Sequence, residues 1–193
     1  MRSVRTYRVI GIYWLLNGLI NLYNLDLFPF FKNAAFQDKL VSCYNLLDTP
    51  MVLLIFAAAV TGGHRRIILI SMMFFLGSEL TLVAWKGYSF ISGTAVIGTG
   101  LLLILTFTIT GLVQYMKRME HTAFENSMAF VYAALLFAYG SFLIVYIFHI
   151  RWAGGINSQD TFLLYYISLL LSAATTTLGL WSYGLRRQPR RTS

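Results

Sequence analysis

Polar residues are sparse along this chain and gather in short clusters. Between the clusters the sequence runs apolar for about twenty residues at a time. At ~1.5 Å of rise per residue, about 20 helical residues cross a bilayer core of ~30 Å. Six such segments are read at approximately 8–31, 40–60, 67–85, 90–116, 126–150 and 161–185. The runs are continuous, whereas a membrane barrel would show short alternating segments. The pattern predicts an all-α, polytopic transmembrane bundle of six helices. It forms a single transmembrane domain over 1–193, with a short basic tail at 186–193.

Composition agrees. Of the 193 residues 58% are hydrophobic and only 11% are charged, against roughly 25% charged in a soluble domain. A deficit spread over the whole length cannot be hidden in one water-soluble core. The lipid bilayer is the expected partner, and the cell membrane the expected location of a multi-pass protein. The net charge of +8 would suggest nucleic acid in a soluble domain. Here basic loops set the topology, and no nucleic-acid partner is expected.

The basic residues fix the direction. Arg2, Arg5, Arg8, Arg65, Arg66, Lys117, Arg118, Arg186, Arg187, Arg190 and Arg191 fall on one face, and Lys32, Lys39, Lys86 and Arg151 on the other. The positive-inside rule places the first face, with both termini, in the cytoplasm. MRSVRTYR before an apolar run has the look of a signal peptide. The run is too long for one and no A-x-A site ends it, so it reads as an uncleaved first span. The tail YGLRRQPRRTS is a topology signal that can also touch anionic headgroups.

Helices in lipid pack through small and polar residues. Candidate packing surfaces are Ser168, Ser172, Thr175, Thr176 and Gly179 in span six, and Ala129, Ala133 and Gly140 in span five. Span four offers Gly93, Gly98, Gly100 and Gly111. Thr106, Thr108 and Thr110 can bond back to their own helix. Trp85, Tyr88, Trp152, Trp181 and Tyr183 stand where an interfacial belt requires them. Pro50 interrupts span two.

The acids narrow the chemistry. Asp38, Glu120, Glu125 and Asp160 lie in loops or at span ends. Asp26, Asp48 and Glu79 lie inside spans one, two and three. At ~1.5 Å per residue they sit roughly 8, 12 and 10 Å below the outer surface, so three helices bring carboxylates to nearly one level. Tyr13, Asn17, Asn21 and Asn24 share a face of span one, and Ser42, Asn45 and Thr49 accompany Asp48. Intramembrane acids usually face the bundle interior or a wet cavity. Such groups hand protons on, or accept a cation or a cationic ligand. The candidate ligand- or ion-binding residues are therefore Asp48, Glu79, Asp26, Asn45, Asn21, Asn24 and Thr49. The alternative for each is a hydrogen-bonded packing residue, with Asp26 merely interfacial.

No phosphate-binding loop, dinucleotide fingerprint or H-E-x-x-H occurs. His64, His121 and His149 are far apart, and Cys43 is the single cysteine. Hence no metal site, cofactor or internal disulfide is expected. Span six has no mid-span lysine for a retinal Schiff base, and no G-x-S-G of the rhomboid type is present. YNLLD at 44–48 resembles, over five residues, the Asn-x-x-Asp element of lipoprotein signal peptidase, an intramembrane aspartyl enzyme. The arginine that follows an aspartate in that family is missing and the span count differs.

Three functions stay open. The first is a small carrier whose acidic outer cavity binds or translocates a cation, a proton or an amine-like ligand. The second is a non-catalytic sensor or regulatory subunit that binds a lipid or ligand and signals through a membrane or signalling partner protein. The third is an intramembrane aspartyl enzyme with Asp26 and Asp48 as its dyad.

Overall fold

The computed structural model describes residues 2–24, 34–87, 90–151 and 158–184. Within them the protein is all α, with six long helices: α1 (Arg2–Asn24), α2 (Ala34–Ala59), α3 (Gly63–Lys86), α4 (Phe90–Met116), α5 (Ala123–Arg151) and α6 (Ser158–Gly179). A π-helical turn, Leu180–Gly184, continues α6. Five of the six, all but α1, are long and apolar enough to cross a membrane. Their outward faces suit lipid: Ile70, Met73 and Phe74 on α3 and Leu170 on α6 are all well exposed, Phe74 at 79%. A large exposed apolar surface of this kind marks contact with a membrane or a partner. With five spanning helices in one chain, it makes this a multi-pass integral membrane protein. Over its described residues α1 falls short, because Asn17, Asn21 and three arginines dilute its apolar run. The rest of the first predicted span, 25–31, lies outside the described residues.

The helices divide into two compact units, Met1–Gly100 and Leu101–Ser193, with α4 running from one into the other. In the first unit α2 packs against both α1 and α3. Its cytoplasm-directed half, as the charges predict it, is closely packed. Val52, Leu53, Ile55, Phe56 and Ala57 are all buried, and Leu54 between them is exposed on the open side of the helix. Pro50 stands in the middle of α2, where its ring nitrogen cannot donate to the carbonyl one turn back. The turn into α3 rests on Gly62, whose φ of 69° is cheap only for glycine.

In the second unit α5 packs along α6 and its π-helical turn. Ser168, Ser172, Thr176 and Gly179 form the buried stripe of α6, whereas Thr175, read on the same face, is only half-buried and bonds back to the Leu171 carbonyl. Gly179 lies against Phe130, and a Cβ there would collide with the Phe130 ring and its Cβ. The predicted stripe of α5 is different from the one observed. Ala133 is exposed and Gly140 has open space where a Cβ would stand. The packed face carries Val131, Ala134, Leu135 and Ala138 instead, a mixture of small and larger aliphatic residues at i, i+3, i+4 and i+7. Thr106, Thr108 and Thr110 each donate at 2.7 Å to a carbonyl one turn earlier in α4.

The start of α5 is a capping box. The Thr122 hydroxyl accepts from the Glu125 N–H at 3.2 Å, while the Glu125 carboxylate accepts from the Thr122 N–H at 2.9 Å. This satisfies donors that the first turn would otherwise leave open. Arg118 pairs with the same carboxylate. Tyr115 donates to Asn126 Oδ1 at 2.9 Å and stacks on His121 at 3.8 Å, so the α4–α5 connection is tied at both ends.

Candidate functional site

The polar layer of the first unit is built from α1, α2 and α3. On α1, buried Thr6, Ile10, Tyr13, Asn17 and Asn21 recur every three or four residues and form the stripe facing α2. Asn21 Nδ2 donates to the Asn17 carbonyl at 2.8 Å and to Asn17 Oδ1 at 2.9 Å. Asn17 Nδ2 donates to the hydroxyls of Tyr13, at 3.5 Å, and of Tyr44. Tyr44 in turn donates to Asp48 Oδ1 at 2.9 Å. Hydrogen bonds therefore run in one direction, from Asn21 through Asn17 and Tyr44 to the Asp48 carboxylate. Each donor is an N–H or O–H that burial would otherwise leave costly.

Glu79 is different. It is 1% exposed, and neither carboxylate oxygen has a hydrogen-bond partner among the described residues. It shares its helix face with Ile68 and Phe75, the other buried residues of α3. Gly100 of α4 fixes the register of that face. A Cβ at Gly100 would meet Thr49 of α2 and Phe75 of α3, so these two side chains are level. Counting outward from that pair at ~1.5 Å per residue, Glu79 and Asn45 each lie ~6 Å further on. Tyr44 and its partner Asn17 stand at the same height. Asp48 is ~5 Å deeper, about one helical turn.

Asp48, Glu79, Asn45 and Thr49 thus fall within about one turn of a common level, and of these Asp48 is linked through Tyr44 and Asn17 to Asn21. Asp48 and Asn45 are half-buried, and Thr49 is buried. Asp26 lies outside the described residues, as does the Asn24 side chain. Spacing along single helices missed Asn17 and Tyr44 as members of the site. The i, i+4 relation of Tyr44 to Asp48 was its available signal. A further buried group is Trp14, whose Nε1–H has no partner among the described residues. Among the described residues no three of His, Cys, Asp and Glu gather as a metal site requires.

Comparison with protein-family models, with curated proteins and with solved structures gives no match. The reading of the site rests on its own geometry.

Proposed function

We propose that the first unit binds a proton, a small cation or an amine-like ligand at the level of Glu79 and Asp48, and that the protein carries it across the membrane. The supporting observation is the Glu79 carboxylate, buried, with neither oxygen partnered among the described residues. An isolated ionised carboxylate in an apolar interior is unfavourable by several kcal/mol or more. A group placed there without a structural partner has its use in what it takes up. Intramembrane acids are generally found facing a pathway or bundle interior for this reason. The amides, hydroxyls and Asp48 at a similar depth on α1 and α2 supply oxygens and dipoles suited to a cation passing that level. The arginine-rich ends of the helices are read as cytoplasmic, which makes the Glu79 layer the extracytoplasmic half of the spans.

The test is flux in proteoliposomes. Purified protein is reconstituted with an internal pH or cation indicator, and a gradient of protons, sodium, potassium or a small amine is applied. Glu79→Gln is expected to lower the flux by at least ~10-fold, and Asp48→Asn by a smaller factor. Native-level flux in Glu79→Gln would overturn the reading. Ligand binding without any flux would favour the sensor.

A further inference from the structure

The arginines at one end of the first unit take no part in the site above. The Thr6 hydroxyl donates to the Ala58 carbonyl at 3.0 Å and so pins the start of α1 beside the end of α2. The turn at residues 60–62 leads directly into α3. Arg5, Arg8, His64, Arg65 and Arg66 are all exposed. With the helix registers already given, all five lie within ~3 Å of the level of Ala58 along the helix axes. Because α2 and α3 are membrane-spanning lengths that meet at this turn, that level is the headgroup layer. Four guanidinium groups therefore stand at one depth, two on α1 and two on α3, each helix packed against α2.

Among the described residues of the unit no carboxylate pairs with them. The described carboxylates Asp48 and Glu79 stand ten or more residues away along their helices, ~15 Å. The ion pair of Arg118 with Glu125 belongs to the other unit. Topology alone does not explain the choice of residue, since the positive-inside rule counts lysine and arginine alike. Yet ten of the eleven basic residues on this predicted face are arginine, while three of the four on the opposite face are lysine. What arginine adds is a planar fork that holds a phosphate through two parallel hydrogen bonds. We propose that Arg65 and Arg66 on α3, with Arg5 and Arg8 at the same depth on α1, bind the phosphodiester headgroups of anionic membrane lipids.

The experiment is a lipid titration of the purified full chain in neutral detergent, read by thermal unfolding. Short-chain phosphatidylglycerol, short-chain phosphatidylcholine and inorganic phosphate are added separately to the native protein and to the double variant R65K/R66K. The lysine variant retains the charge that sets insertion and loses only the fork. Phosphatidylglycerol is expected to raise Tm of the native protein where the other two do not. R65K/R66K is expected to need about fivefold more of it for the same rise, the effect of weakening a charge-assisted hydrogen bond. Equal responses of variant and native protein would overturn the proposal. So would a response to phosphatidylcholine or inorganic phosphate as large as that to phosphatidylglycerol. Glu79 does not enter this measurement, so its outcome is separate from that of the flux assay.

Discussion

Glu79 and Tyr44 sit on neighbouring helices at one level and behave oppositely. Tyr44 links two helices by accepting from Asn17 and donating to Asp48. Glu79 is buried and links nothing among the described residues. Removing a hydrogen-bonded hydroxyl strands its donor, whereas removing an unpartnered carboxylate relieves a desolvation cost. Tyr44→Phe is therefore expected to destabilise the protein by ~1–2 kcal/mol. Glu79→Leu is expected to leave stability unchanged or raise it by ~1–3 kcal/mol. Denaturant unfolding of the detergent-solubilised variants measures both. Destabilisation by Glu79→Leu as large as that by Tyr44→Phe would show that Glu79 has a structural partner. The acids inside the spans were legible from the sequence because charge is so rare there. The role of Tyr44 was not, since it depends on which residue of α1 faces it, and spacing along one helix does not carry that.

At the scale of the helices, number and rough extent follow from the apolar runs. Their packed faces follow less reliably. The α6 stripe was legible because serine, threonine and glycine at i, i+4, i+8 and i+11 leave one side flat. The α5 face was not, because alanines stand on both its packed and its exposed sides, so small size alone does not mark the interface. The two glycines now separate cleanly. Gly179→Ala would drive a Cβ into Phe130 and is expected to cost ~1–3 kcal/mol through overpacking. Gly140→Ala meets no atom within 4 Å and is expected to be neutral or to stabilise by up to ~1 kcal/mol through helix propensity. Thermal unfolding in detergent distinguishes them, and equal effects would contradict the packing described for α5 and α6.

Across the whole molecule, one chain carries two chemistries in its first unit, a buried carboxylate layer and an arginine rim some ten residues away along the same helices. The membrane class was legible in composition alone, and the sidedness was read from the distribution of charge. The division into two units was not, because α4 runs apolar and unbroken from one to the other. The proposed transport would require that water reach Glu79 from the lysine-bearing side. The native chain makes this simple to probe, since Cys43, exposed on α2, is its single cysteine. Glu79→Cys is placed in a Cys43→Ser background and treated in sealed, oriented vesicles with a membrane-impermeant methanethiosulfonate from that side. Modification at position 79 is the expected result. Failure of the impermeant reagent, with modification only by a lipid-soluble maleimide, would contradict a water-reachable carboxylate and with it the proposed transport.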